Sequence, residues 1–141
     1  MDFTDLEVFY RATTFLVNHP NGHNIPIRIG QLHPALNDLI TPIGSNWAFL
    51  TASNPRSVVL PDTSNTARND SLREAVSAAG YLFWPGAGIS DFSDWKPEES
   101  ILAVGMPKEE ADHFAIRYDQ NAFVYGEIGG VAELIWTCAM I

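Results

Sequence analysis

A helical stripe that turns polar halfway along is the strongest constraint in this chain. The spacing predicts a helix from Ser64 to Ala79, ended by Gly80 at the usual C′ position. Leu72, Val76 and Ala79 fall on one line of that helix. Followed toward the N-terminus, the same line meets Asn69 and then Asn65. Arg68 lies on the adjoining line through Leu72, Ala75 and Ala79. Just upstream, Trp47–Thr51 reads as a buried strand that runs out into Ser53-Asn54-Pro55-Arg56. Two amides on a core-facing line need partners, because burying them unpaired is costly. Those partners are either backbone groups of the Ser53–Arg56 loop or a ligand. Free backbone N–H groups at the helix start, with Arg56 or Arg68 beside them, would suit a phosphate or carboxylate.

The remaining elements fall around this junction. Thr13–Val17 is strand-like, and Asp5–Arg11 before it is compatible with a short helix. Asn21-Gly22 marks a turn into a short strand at Ile25–Ile29, and Pro26 points to a sheet edge. These two strands can pair as a hairpin. His33-Pro34 opens a helix to Ile40. Tyr81–Trp84 reads as a strand stopped by Pro85-Gly-Ala-Gly88, and a polar loop from Ser90 to Glu98 precedes the strand Ser100–Val104. Pro107 starts a helix to Tyr118, with Glu109 and Glu110 well placed in its first turn. Ala122–Tyr125 and Val131–Trp136 are strands around the turn Gly129-Gly130. The expected fold is therefore α/β or α+β: a single-domain sandwich over residues 1–141, with a mixed sheet and about three helices.

Composition narrows the function classes. With 46% hydrophobic and 18% charged residues, the 141-residue chain is ordinary for a folded domain. Seventeen acidic against eight basic residues give a net charge of −9. That disfavours nucleic acid and anionic membrane as partners, since both need clustered Lys and Arg. It suits a soluble acidic protein and leaves a basic protein partner open. A single cysteine, Cys138, excludes an intrachain disulfide and fits a reducing, cytoplasmic setting. Its apolar surroundings mark it as a small core residue. No leader-like or membrane-spanning run is expected.

Familiar cofactor signatures fail in context. Gly86-Ala-Gly88 follows a strand, but no third glycine and no helix follow it. His19 and His23 are four apart, but Pro20 and Gly22 exclude the helix that would align them on a metal. No metal and no cofactor are expected. Glu98-Glu99 is the one acidic pair beside an apolar strand. Neighbours in a strand face opposite ways, so at most one enters a site: Glu99 shares a face with Ile101, and Glu98 with Ser100. Gln120-Asn121 sits between a helix and a strand, where it can line the same end of the sheet as Asn54.

Several ordered segments resemble a known pattern. Tyr10-Arg-Ala-Thr13, Ile27–Gln31, Trp47–Ser57, Asn65 with Arg68-Asn69 and Leu72, Gly80-Tyr81, Pro85–Gly88, Trp95 with Pro97–Ser100, and Gln120-Asn-Ala122 are together similar to a bacterial family catalogued as a domain of unknown function, number 3293. The likeness runs over about residues 10 to 136. It implies no activity. It does imply that Asn54-Pro55-Arg56, Asn65/Asn69, Glu98/Glu99 and Gln120 belong to one recurring pattern. Ser53 departs from it, where a bulky or aromatic residue is expected.

The leading expectation is a small polar, anionic or nucleotide-like ligand at the strand–helix junction. Asn54, Asn65, Asn69 and Gln120 would supply hydrogen bonds, and Arg56 or Arg68 the charge. Glu99, or Glu98, is the candidate acid/base group if the protein is an enzyme, which the sequence leaves open. A non-enzymatic interaction module with a structural polar cluster is the alternative. A toxin or anti-host factor acting on nucleotides is a third. Oligomeric state is not legible.

Overall fold

Among the described residues seven strands form one sheet, and helices cover both of its faces. The computed structural model describes residues 3–92 and 94–137, so Cys138 lies outside the described residues. Along the chain, α1 (Phe3–Arg11), β1 (Thr13–Asn18), β2 (Asn24–Ile27), α2 (Pro34–Ile40) and β3 (Asn46–Leu50) lead to a short 3-10 turn at Pro55–Ser57. Then follow α3 (Asp62–Ala78), β4 (Leu82–Ser90), β5 (Glu98–Val104), α4 (Lys108–Arg117), β6 (Ala122–Glu127) and β7 (Glu133–Trp136). No helix among the described residues is long and apolar enough to cross a membrane.

The architecture is α+β, with two corrections. Among the described residues there are four α-helices rather than about three, because α1 forms from Phe3–Arg11 ahead of the first strand. The sheet is not mixed: all six strand pairings are antiparallel. The reason lies in the strand order, β2-β1-β4-β5-β3-β6-β7. β1–β2, β4–β5 and β6–β7 are hairpins between neighbours. The helical connections β2→β3, β3→β4 and β5→β6 join strands of like direction that never touch, because an antiparallel strand always lies between them. Crossover helices thus accompany a wholly antiparallel sheet.

β4 is longer than its sequence suggests. Pro85 does not end it, and the strand runs through Gly86 and Gly88 to Ser90. Pro85 faces Ile101 on β5, while the β1 ladder begins one residue later at Gly86. The proline therefore sits where β1 supplies no ladder partner, a position that tolerates its missing N–H. Pro26 sits on β2, the edge strand.

Alternation along the strands builds two cores. On one face α3 and α4 bury Leu72, Val76, Ala111 and Phe114 against Leu50, Ile101 and Phe123. On the other, α2 buries Leu36 and Ile40 beside Phe15, Trp47, Phe49 and Trp84, with Tyr10 of α1 packed at the margin. Gly86 is required by this second core. A Cβ there would meet Leu16 O at 2.5 Å and the Phe49 ring at 3.0 Å. We expect Gly86→Ala to cost about 1–3 kcal/mol through this overpacking, read from the urea midpoint. Gly88→Ala, whose Cβ meets only Thr13 Cγ2 at 3.9 Å, leaves the fold intact by the same measurement.

Candidate functional site

The two asparagines do interrupt the buried stripe of α3. Asn69 is 2% exposed, in line with buried Leu72 and Val76. Asn69 Oδ1 accepts from Ala52 N at 2.9 Å, and Nδ2 donates to Ser53 Oγ at 2.9 Å and to Asn65 O at 3.0 Å. Asn65 Oδ1 accepts from Asn54 N at 2.9 Å, and its Nδ2 donates to Asn54 Oδ1 at 2.8 Å. Gln120 Nε2 donates to Ser53 O at 2.9 Å. Side-chain amides thus replace the ladder that the backbone loses when β3 leaves the sheet.

The arginines join the same scaffold. Arg68 Nε donates to Ala52 O at 2.7 Å, and the guanidinium also reaches Tyr118 O. Arg56 Nη1 donates to Gln120 O at 3.2 Å. Ser53 is buried, with its hydroxyl between Asn69 Nδ2 and Glu99 O. A bulky residue there would displace this contact. So held, the loop keeps three non-glycine residues at positive φ: Asn54 at 47°, Arg56 at 51° and Ser57 at 61°. Such conformations persist only where surrounding contacts over-determine them.

The acidic pair divides as the strand alternation requires. Glu99 turns to the α3 face, where Arg73 pairs with it and with Asp70. Glu98 turns to the opposite face. There Phe15, Gly88 and Glu98 stand in one row across β1, β4 and β5. The middle member has no side chain, and a cavity of about 70 Å³ opens in its place. Phe9 and Tyr10 of α1, Phe49, Thr51, Ser100, Trp95 and the loop residues Asn54 and Ser57 help to line it. Asn54, Trp95, Lys96 and Glu98 also border a larger cleft of about 680 Å³, which contains Asn65 and Asn69. Of the residues singled out in the sequence, Asn54, Glu98 and Gln120 line the cavity; Asn65, Asn69 and Glu99 line the cleft only. Arg56 and Arg68 line neither. Residue types alone gave no role to Tyr10 or Gly88, because their part depends on cross-strand register.

Glu98 is the electrostatic centre of this space. Asn54 Nδ2 donates to its Oε2 at 2.8 Å. Oε1 has no hydrogen-bond partner among the described residues, and no Lys, Arg or His there lies within ion-pair distance of the carboxylate. Burial raises its pKa above the ordinary glutamate value, and the Asn54 hydrogen bond opposes that only in part. Burial also raises the Tyr10 hydroxyl, with the nearby Glu98 charge adding to it. The described residues contain no group of three His, Cys, Asp or Glu that could hold a metal ion. The arrangement can accept a hydrogen bond, neutralise a cation or transfer a proton.

Two stability measurements follow. Asn69→Ala leaves buried partners unpaired and should cost about 2–3 kcal/mol in urea unfolding. Glu98 acts in the other direction. Its folded carboxyl holds a proton more tightly than the unfolded one. Its contribution is therefore most favourable below the unfolded value of 4.5 and is lost as pH rises through the higher folded value. Glu98→Gln removes that loss. We expect its Tm to exceed that of the parent at pH 7.5, with the advantage shrinking toward pH 4.

Comparison with known proteins gives a family and no activity. A family model described as "Protein of unknown function (DUF3293)" matches residues 50–123, just over half of the chain. No curated protein and no solved structure matches. The matched region runs from the end of β3 into β6 and carries the amide scaffold together with Gly88 and Glu98, whereas the Tyr10 and Phe15 walls of the cavity precede it. On this match the chain belongs to the DUF3293 family of proteins of unknown function.

Proposed function

We propose that this protein binds a small organic molecule at the mouth of the cavity, with Glu98 as its polar anchor. One observation carries the reading. A largely buried carboxyl faces the cavity with Asn54 as its hydrogen-bond partner and no counter-cation in ion-pair range among the described residues. Folding alone does not favour such a group, since burying an unpaired charge is costly. A ligand that supplies the missing partner explains why it is there. The strained Asn54–Ser57 loop, two of whose residues line the cavity, supports the same reading.

The ligand meets two kinds of surface. Aromatic rings of α1, β1 and β3 receive an apolar part, while Glu98 Oε1 and the Tyr10 hydroxyl address a polar part. Asn65, Asn69, Arg68 and Gln120 act mainly by holding Asn54 in place. We read the polar end of the ligand as a hydrogen-bond donor, because the arginines are turned to backbone carbonyls and, of the two charged residues that line the cavity, Lys96 is exposed and paired with Asp62 while Glu98 has no cationic partner. If the bound molecule is also transformed, Glu98 is the group to which we assign proton transfer, since a raised carboxyl pKa suits general acid/base work.

A fragment screen by ¹H–¹⁵N NMR tests this. Binding fragments should perturb the Gly88 and Glu98 amides together. Gly88→Val, which fills the cavity from a strand position with room for a Cβ, should abolish those perturbations while the spectrum stays folded. Fragments that gather elsewhere and ignore Gly88→Val would overturn the proposal.

A further inference from the structure

We infer that the cavity takes the protonated head of a primary alkylamine or arylalkylamine, with its first methylenes against the aromatic walls and the rest of its carbon tail leading out into the cleft. This rests on the small-molecule site proposed above and names its ligand class.

Three observations converge. The first is size. A cavity of about 70 Å³ has room for a few waters, at about 10–15 Å³ of such volume each, and a compact group fills it. A methylene-ammonium head fits such a space. The second is wall chemistry. Phe9, Tyr10, Phe15, Phe49 and Trp95 surround the cavity, and Phe9 packs edge-on against Trp95 with centroids 5.3 Å apart. Aromatic walls attract a cation through the ring quadrupole and tolerate its methylenes. Glu98 Oε1 supplies the acceptor and the opposite charge. A carboxylate or phosphate head would meet Glu98 as a like charge.

The third is the approach. The cleft carries Asp62, Asp94 and Glu99 beside the shared Glu98, with Glu99 held by Arg73. Its one cation among the described residues, Lys96, is exposed and paired with Asp62 at 3.4 Å. A chain of net charge −9 draws cations to such an entrance and repels anions from it. Cavity and cleft meet at Asn54, Trp95, Lys96 and Glu98, so a tail leaving the head passes between an amide and an indole. The occupant is thus narrow, unbranched near its ammonium, and apolar for its first few carbons.

A matched set of probes separates this inference from the site reading beneath it. Butylammonium, 1-butanol and butanoate share length and differ in head charge. Each is titrated into the full chain at constant ionic strength and pH 7.5, and followed at the Gly88 and Glu98 amides by NMR. Butylammonium should bind at least tenfold more tightly than 1-butanol, and butanoate should not bind. Glu98→Gln should remove the preference for butylammonium over 1-butanol while the protein stays folded. Gly88→Val should weaken both. If 1-butanol or butanoate binds at these amides as well as butylammonium, the amine inference fails and the site stands. If butylammonium binds but Glu98→Gln leaves its preference unchanged, the inference fails as well. If none of the three perturbs these amides and no fragment does, both fail.

Discussion

The bond from Ala52 N–H to the Asn69 side chain is the contact on which the rest of the site depends. β3 gives up its ladder after Leu50, and the backbone that leaves it is buried. Buried N–H and C=O groups must be satisfied. Asn69 and Asn65 answer the amides of Ala52 and Asn54, while Arg68 and Gln120 answer the carbonyls of Ala52 and Ser53. Helix α3 and the turn that follows α4 are thereby tied to one loop from two sides. The loop can then hold three residues at positive φ, at about 1–3 kcal/mol each by general experience. Its consequence for chemistry is local: Asn54 is delivered to Glu98 in a fixed orientation.

Topology decides which carboxylate meets that asparagine. β5 pairs with β4 on one side and β3 on the other, and both partners are antiparallel to it. Its first residues therefore lie beside the end of β4 and the exit of β3. Strand alternation then sends Glu99 to Arg73 and Glu98 to the face covered by α1. The same register puts Gly88 between Phe15 and Glu98. A side chain at that one position would fill the space that Glu98 faces. The two glycines of β4 therefore do different things. Gly86 is needed for packing against Phe49, whereas Gly88 leaves a void.

What was legible in the sequence was what local periodicity controls. The phase of α3 located Asn65 and Asn69, Gly80 marked the helix end, Pro26 marked an edge strand, and period two separated Glu98 from Glu99. What was not legible depends on pairing between distant segments. Pro85 reads as a strand stop, and only the point where the β1 ladder begins shows why the strand continues. Helices between strand groups suggest parallel neighbours, and only the interposed β5 and β3 reveal that the crossovers join strands that never touch. The row of Phe15, Gly88 and Glu98 spans residues more than eighty positions apart, so no window on the chain contains it. The contribution of α1 was hidden for the same reason: Tyr10 matters by lying over that row.

The division between scaffold and site follows from hydrogen-bond saturation. Asn65 and Asn69 have their oxygens and nitrogens engaged within the chain, so their polarity is internal to the fold. Glu98 is the contrary case. Asn54 engages one oxygen, the other has no hydrogen-bond partner among the described residues, and burial works against its charge. An uncharged glutamine would keep the Asn54 contact without that penalty. Natural proteins hold such unfavourable groups where activity needs them, at the expense of stability. The same polar junction thus contains two kinds of residue. One kind stabilises the loop, and the other keeps an acceptor that the fold leaves unmet among the described residues, which is the group the proposed ligand would answer.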